Sequence, residues 1–474
     1  MSALNFLKRI VALALVFAML FLFAACNRDD KNPDDSSNKN GVTEAERLVE
    51  LPYSREDGLN PFFAESLLNN GIMPLLYSGL FYLDANYEAQ KSIASGIEIN
   101  GKETVVTIDA SKKFSNGSGI LASDIVYSFE LAKASLYYGS MLETIESCAA
   151  VNSSTVSFVT LMKDVYIAGV LTFPIVKRGT AIDKKSIPVG AGKYKYEIIT
   201  EGGKLVSSEG AADVILKNVT NTDSLLHSLV VGNYDAVLDD LSGGKSQRIN
   251  ASAVQVDLNN LIFLGVNHVG AFNDSELVKN LNIALDKESL INIGFEGYGI
   301  VADTPFNPNW YVLDEYKPKK VYADESKEYI KKKLSKRVVT VLVNSDNNFK
   351  VKFAEELCSQ LGKLGVKTKL SSVPFSVYKS GIEGGYYDLY VGEYKLCGDM
   401  NISRLINTEV TKSAYYSFMS GSQNIGEFMA VFNDDMPFIP VAFRMGILAY
   451  SRELQAEVNP LPNNVFANLA EWSL

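Results

Sequence analysis

The sequence is poor in the side chains that build metal sites and acid–base sites. Its 474 residues include only two histidines, His227 and His268, and four cysteines, and neither histidine has a cysteine or a second histidine at ligand spacing. A zinc site of these residue types is therefore not expected. Four cysteines cannot supply a disulfide framework, and the Gly-x-Ser-x-Gly elbow of serine hydrolases is missing. We expect neither an enzyme nor a cofactor or metal.

Basic residues are fewer than acidic residues. Lysine and arginine number 45 against 55 aspartate and glutamate, for a net charge of −10. An acidic chain of this kind is a poor binder of nucleic acid or anionic lipid headgroups. The segment Leu241–Arg248 resembles the signature motif of ABC-type ATPases and contains Gly-Lys-Ser. Residue 239 is aspartate, however, where a phosphate-binding loop begins with glycine, so we interpret the segment as a Gly-rich surface turn.

The N-terminal residues have the pattern of an export signal. Lys8 and Arg9 precede an unbroken apolar run, Ile10–Ala25, which as a helix would be about 24 Å long, shorter than a bilayer core. The run ends at Phe-Ala-Ala-Cys, with small residues before Cys26. This pattern predicts a signal peptide over residues 1–25 and a lipid on Cys26. An uncleaved membrane helix is the alternative, and both place the remaining chain outside the cytoplasm.

Residues 26–43 are polar and charged and cannot bury apolar surface, which predicts a disordered tether. The remaining chain is too long for one hydrophobic core, so two or more lobes are expected. Its composition, 47 % hydrophobic and 11 % aromatic residues, is typical of a well-packed globular protein. No repeat of fixed period is present, which disfavours a solenoid or a propeller.

Helical and strand periods alternate along the chain, which indicates an α/β architecture. Ile97–Ile108 predicts a hairpin about Asn100-Gly101, and Ala122-Ser123-Asp124 predicts the N-cap of a helix. The order of a buried strand at Val338–Val343, a helix at Phe353–Leu364 and a strand at Val366–Leu370 predicts a parallel strand pair.

Six segments, in order, resemble the family 5 extracytoplasmic solute-binding proteins of the oligopeptide- and dipeptide-binding type. They span nearly all of the chain after the tether. One difference is that this family's common Phe-His-Asp-Gly is Phe-Ser-Asn-Gly here. The segments are Leu59–Phe62 with Leu75–Leu80, Phe114–Gly117 with Ala122–Phe129, Pro188–Tyr194, Val231–Ala236, Ile283–Glu288 and Ala467–Trp472.

The resemblance implies a two-lobed periplasmic-binding-protein-like fold of type II, cluster C, with two hinge crossings and an extra subdomain in lobe I. We expect lobe I over residues 44–266, with the inserted subdomain at about 86–172. Lobe II then spans residues 267–437, and residues 438–474 return to lobe I. Ligand would bind between the lobes, and closure would bury it.

The resemblance also implies a function. We expect a monomeric lipoprotein on the extracytoplasmic face of the cell membrane, which captures a small solute, a peptide first of all, for an ABC permease. Nucleic acid is not an expected partner. A non-peptide solute such as a sugar or a metal chelate is an alternative. So is a surface lipoprotein with a structural or adhesive role and no transported ligand.

Five residues are candidate ligand contacts. Asp399 resembles the carboxylate that in this family pairs with a peptide's terminal amine, although it could equally cap a turn. A buried carboxylate needs a cationic partner, which makes amine capture a physically sensible device. Tyr394, Tyr77 and Trp310 are candidate cleft aromatics or else core residues. Arg404 either holds a ligand carboxylate or faces solvent.

Overall fold

A computed structural model describes residues 47–200, 202–222, 224–244, 250–316 and 323–474. The predicted signal peptide, the lipidation site Cys26 and the tether up to residue 43 lie outside these residues, as do residues 245–248 of the Gly-Lys-Ser segment. Among the described helices, none is both long enough and apolar enough to cross a membrane.

Strands and helices alternate along the described chain. The helices are α1 Leu67–Leu76, α2 Ala122–Ala134, α3 Leu225–Val230, α4 Ser275–Ala284, α5 Lys287–Gly294, α6 Ala323–Leu334, α7 Asn348–Lys363, α8 Phe375–Glu383, α9 Glu409–Met419 and α10 Ile425–Asp435. The strands are β1 Val49–Tyr53, β2 Phe81–Leu83, β3 Ala89–Lys91, β4 Ala94–Asn100, β5 Glu103–Ile108, β6 Ile145–Asn152, β7 Thr155–Thr160, β8 Tyr194–Ile199, β9 Gly202–Ser207, β10 Val214–Asn218, β11 Ala236–Asp239, β12 Ser252–Val266, β13 Gly299–Val301, β14 Val338–Asn344, β15 Lys367–Val373, β16 Leu389–Lys395 and β17 Phe438–Tyr450.

The strands pair in separate sheets. One sheet has the order β1-β10-β9-β8, another β4-β5-β7-β6, and β2 pairs with β3. A seven-stranded sheet has the order β11-β17-β12-β16-β14-β15, with β13 also on β17. It is mixed, since β14 is parallel to β15 and β16 while β12 is antiparallel to β16 and β17. The expected α/β class is therefore confirmed.

The buried apolar side chains form two large clusters. The first core takes its residues from 49–81, 93–238, 256 and 448–472. The second core takes them from 261–447, with Leu83, Tyr87 and Leu241. Strands β12 and β17 run through both cores: Val256 and Leu448 belong to the first, whereas Leu261 and Ile447 belong to the second. The apolar cores thus change at residues 256–261 and 447–448. The lobe boundaries expected after residues 266 and 437 stay a prediction.

Two local predictions are confirmed. Strands β4 and β5 form the expected hairpin, with Asn100 opposite Glu103 and Gly101 at a φ of 63° in the turn, a conformation that glycine adopts without strain. Strands β14 and β15 are parallel and joined by α7. The sheet β4-β5-β7-β6 and helix α2 fall inside residues 86–172, where an inserted subdomain is expected.

The start of α2 differs from the prediction. The helix begins at Ala122, and the Asp124 carboxylate accepts a hydrogen bond of 2.8 Å from the Leu121 backbone N–H. Asp124 is therefore the third helical residue, reaching back to the N-terminus, and not part of a cap before the helix. A second bond of 2.8 Å, from the Arg178 backbone N–H, attaches Asp124 to a neighbouring loop.

Candidate functional site

A cavity of about 840 Å³ lies against the first core and is closed on one side by a segment that follows β16. Its size falls within the range of small-molecule sites. Lys395, which ends β16, and the following residues Leu396, Cys397 and Gly398 contribute to its wall. Leu396 belongs to the second core, whereas Cys397 packs against the first. The remaining lining residues fall within 70–83, 91–93, 111–113, 136–141, 172–174, 191–193, 208–209 and 461–467. Residues distant in sequence therefore enclose one space.

One wall is the C-terminal end of α1 and the glycine turn beside it. A Cβ at Gly190 would lie 2.2 Å from the Leu76 carbonyl oxygen, and one at Gly192 would lie 2.3 Å from the Leu75 carbonyl oxygen. Only glycine allows this approach of two backbones, which accounts for the Gly-Ala-Gly sequence that resembled a family motif.

The opposite wall is held by a bulge in β12. Asn259, with a φ of 55°, donates from its side chain to the carbonyl oxygens of Leu396 at 3.0 Å and Cys397 at 3.3 Å. Its own carbonyl oxygen accepts a bond of 2.9 Å from the Leu396 N–H. Three hydrogen bonds from one buried residue therefore fix the segment at the cavity.

The two cores touch directly behind this wall. A Cβ at Gly398 would lie 2.2 Å from the Gly169 carbonyl oxygen, and a Cβ at Gly169 would lie 2.4 Å from that of Gly398. Close by, the Val165 N–H donates to the Met419 carbonyl oxygen at 2.9 Å. The segment 164–169 of the first core therefore packs backbone against backbone on the segment after β16.

The cavity is basic although the chain is acidic. Five lysines line it, with Glu209 as the one acidic residue among the described lining residues. The lysines are Lys91, Lys112, Lys113, Lys193 and Lys395. Lys193 is partly neutralised by Glu209, at 3.8 Å, whereas the Lys395 ammonium lies 5.5 Å from the centre of the Tyr137 ring. The Lys395–Tyr137 contact joins the two cores across the cavity.

Tyr77 is the one candidate contact among the five that lines the cavity. Its hydroxyl donates to the Leu59 carbonyl oxygen at 2.7 Å, and burial raises its pKa well above the ordinary value. Only an edge of this 4 % exposed side chain is therefore offered to a ligand.

Asp399 comes directly after the lining segment but faces the contact between the cores. It is 1 % exposed and Asp164, from the first core, is 6 % exposed. Burial raises the pKa of Asp399 to about 7, and burial followed by the charge of Asp399 raises that of Asp164 well above its usual range. Each accepts a bond from a nearby backbone N–H, Asn401 at 3.2 Å and Tyr166 at 2.8 Å. Among the described residues, neither forms an ion pair.

The other three candidate contacts lie away from the cavity surface. Tyr394 is half-buried one residue before the lining segment, and burial raises its pKa to about 12. Arg404 makes a two-pronged ion pair with Glu143, one arm of which measures 2.9 Å. Trp310, 1 % exposed, packs its ring on Tyr166 at 5.0 Å and Phe306 at 5.1 Å. Ligand roles for these residues stay predictions.

Sequence reasoning missed the lysines and Asp164. Lys112 and Lys113 stand just before the Phe-Ser-Asn-Gly motif, and Lys193 ends the glycine turn, so their positions beside family segments were the available signal. Asp164 lies in a segment without a motif. Among the described residues, no cluster of histidine, cysteine, aspartate and glutamate is arranged to hold a metal ion.

Comparison with known proteins identifies relatives of this chain. The family model "Bacterial extracellular solute-binding proteins, family 5 Middle" matches residues 88–396. The oligopeptide-binding protein AppA of Bacillus subtilis is 23 % identical over 421 residues, covering 77 % of this chain and 76 % of AppA. The glutathione-binding protein GsiB of Salmonella typhimurium is 20 % identical over 356 residues, 69 % of each chain.

Solved structures give the fold. The periplasmic murein tripeptide-binding protein MppA, in its unliganded open form, matches with a TM-score of 0.73 at 15 % identity, over 91 % of this chain and 99 % of MppA. This likeness confirms the two-lobed architecture of periplasmic binding proteins that the sequence resemblance implied.

Proposed function

Since the chain belongs to the family 5 bacterial extracellular solute-binding proteins, we propose that it captures short peptides in the cavity and delivers them to an ABC permease. This family consists of transport binding proteins and not of enzymes. The observation that carries the proposal is the cavity of about 840 Å³ with walls from both cores. A ligand that contacts both walls favours their approach, because it binds the closed arrangement better than the open one.

The peptide class is supported by what the relatives bind. AppA is an oligopeptide-binding protein and GsiB binds the tripeptide glutathione. The cavity supplies backbone groups, serine hydroxyls and tyrosine rings, which suit a ligand with alternating polar and apolar groups. Native mass spectrometry of protein purified from its own host identifies a retained ligand directly, and a sugar or a metal chelate there would contradict the peptide class.

A cavity-filling variant tests the location. Ser140 is exposed and lines the cavity, so Ser140→Trp fills it without disturbing the core. We expect its peptide affinity, measured by calorimetry, to fall at least about tenfold, a loss of about 1.4 kcal/mol. The matched control is Ser147→Trp on β6, which is exposed outside the cavity lining. Equal affinities for both variants would place the ligand elsewhere.

Asp399 is proposed to hold the ligand's terminal amine. It is a buried carboxylate with no ion pair among the described residues, which is the state that a ligand cation would relieve. Asp399 does not line the cavity in this structure, so amine capture requires its carboxylate to become accessible there. We expect acetylation of a peptide's N-terminus to weaken binding to the wild type at least tenfold, and Asp399→Asn to bind both forms equally. An unchanged preference in the variant would remove this role.

The place of the protein in the cell is proposed from its N-terminal residues. Lipid attached to Cys26 would tether a monomeric binding protein to the outer face of the cell membrane beside its permease. Mass spectrometry of the mature N-terminus checks this, and Cys26→Ser is expected to release the protein into the medium or periplasm. Small-angle scattering addresses the adhesive alternative, because only a transport receptor is expected to shrink on peptide addition.

A further inference from the structure

The lining of the cavity reverses the charge balance of the chain. The whole sequence has 45 basic and 55 acidic residues, whereas the described lining has five lysines and one glutamate. Lys193 is the only one of these lysines with an acidic partner within 4.0 Å among the described residues. Hydrogen bonds from Ser111, together with the charge of Lys112, lower the pKa of the nearby Asp109, whereas Lys91, Lys113 and Lys395 have no acidic partner within 4.0 Å among the described residues. A cleft lined mainly by one sign of charge raises the local concentration of ligands of the opposite charge.

The lysines come from separate elements that the fold brings together. Lys91 ends β3, Lys112 and Lys113 follow β5, and Lys193 precedes β8. Lys395, at the end of β16, reaches the same space from the second core and lies over the Tyr137 ring. A carboxylate placed among them contacts both cores at once, and such a ligand stabilises the closed arrangement.

We propose that the cavity selects acidic peptides, whose side-chain carboxylates pair with the lysines. A neutral peptide of the same length lacks this charge. The inference rests on the proposed function and narrows its ligand to one charge class.

Calorimetry with three tripeptides of equal length tests the proposal: one with two glutamates, one with two glutamines and one with two lysines. We expect the glutamate peptide to bind about tenfold more tightly than the glutamine peptide, and the lysine peptide to bind most weakly. Raising the salt concentration is expected to narrow these differences.

The variant Lys112→Gln/Lys113→Gln locates the effect. It is expected to weaken the glutamate peptide about tenfold and the glutamine peptide by less than about twofold. The matched control, Lys331→Gln/Lys332→Gln, changes two exposed lysines of α6 outside the cavity and leaves all affinities unchanged. Equal binding of the glutamate and glutamine peptides overturns the charge selection but leaves peptide capture intact. Failure of all three peptides to bind overturns both.

Discussion

The segment from Lys395 to Asp399 joins two regions that differ in charge and in exposure. On one side, the cavity gathers five lysines that keep contact with solvent. On the other, Asp399 and Asp164 are buried between the cores without an ion pair among the described residues. Lysines in contact with solvent cost little folding free energy while the cavity is empty. Burial, by contrast, disfavours the ionised form of a carboxylate. The first region is therefore suited to ligand selection, and the second makes the contact between the cores sensitive to pH.

The largest expected effect comes from the acidic side. The pKa of Asp399 is about 7, raised by burial above an ordinary value near 4. The folded protein thus holds a proton that the unfolded chain releases, so stability is full at low pH and falls as the pH rises through 7. We expect the free energy of unfolding of Asp399→Asn to exceed that of the wild type by on the order of 4 kcal/mol at pH 8 and to equal it near pH 4. Urea unfolding measures both.

Asp164→Asn is the partner variant for this comparison. The two carboxylates repel each other when both are ionised, so either substitution removes this repulsion from the remaining residue. The double variant is therefore expected to gain less free energy of unfolding than the sum of the two single gains. Glu143 also faces Asp399, while burial keeps Tyr415 and Cys397 protonated by raising their pKa values. If the difference in unfolding free energy between the wild type and Asp399→Asn did not change with pH, this explanation would be wrong.

Glu393 sharpens the comparison, because it is a carboxylate of low exposure that has cationic partners. Lys350 lies 2.7 Å from it and Arg444 lies 2.8 Å from it. Burial acts to raise its pKa, but the two cations outweigh burial and hold the pKa at about 2. The stability that Glu393 contributes is therefore present above pH 4.5 and lost as the pH falls through 2. This pH dependence is the reverse of that of Asp399.

We expect Glu393→Gln to lower the free energy of unfolding by about 3 kcal/mol at pH 7, since the buried Arg444 and the half-buried Lys350 lose their partner. Denaturant unfolding at pH 7 and at pH 2 checks this, with the loss shrinking at the lower pH. Exposed Glu383, changed to glutamine, serves as the control. A loss of equal size at both pH values would indicate that packing, and not charge, is responsible.

Gly398→Ala tests the boundary between the two regions. The added Cβ meets the Gly169 carbonyl oxygen at 2.2 Å, so one of the two backbones must shift. We expect this shift to separate the cores. We expect a loss of about 2 kcal/mol in unfolding free energy and a larger radius of gyration of the unliganded protein by scattering. The control is Gly362→Ala in α7, where a Cβ meets nothing within 4 Å. It is expected to stabilise the protein slightly. An unchanged radius for Gly398→Ala would mean that the contact yields locally.

Local patterns predicted the elements better than the site. The β4–β5 hairpin and the parallel pair around α7 follow from turn chemistry and periodicity, which act over a few residues. The start of α2 was misplaced, because an aspartate can cap a helix from before its start or from its third residue.

The site depends on contacts between distant residues. Asp399 could be singled out by its motif, but its pairing with Asp164 depends on how the two cores meet. Trp310 shows a second limit: a large aromatic ring suits a cleft and a core equally well in sequence, and here it packs among Tyr166, Phe306 and Phe418. Lysine convergence is likewise a property of the fold, since each lysine alone is an ordinary surface residue.

The smallest expected effect belongs to Lys395, the one cavity lysine that the second core supplies. Its ammonium lies 5.5 Å from the centre of the Tyr137 ring, a contact worth about 0.5–1 kcal/mol at an exposed site. Lys395→Met is expected to change stability by no more than that and to weaken acidic peptides about fivefold. Tyr137→Leu removes the ring but keeps the charge, and exposed Lys367→Met on β15 is the control. If Tyr137→Leu weakens acidic peptides as much as Lys395→Met does, the lysine acts by packing across the cores, and the contrast of charge between the two regions no longer explains selection.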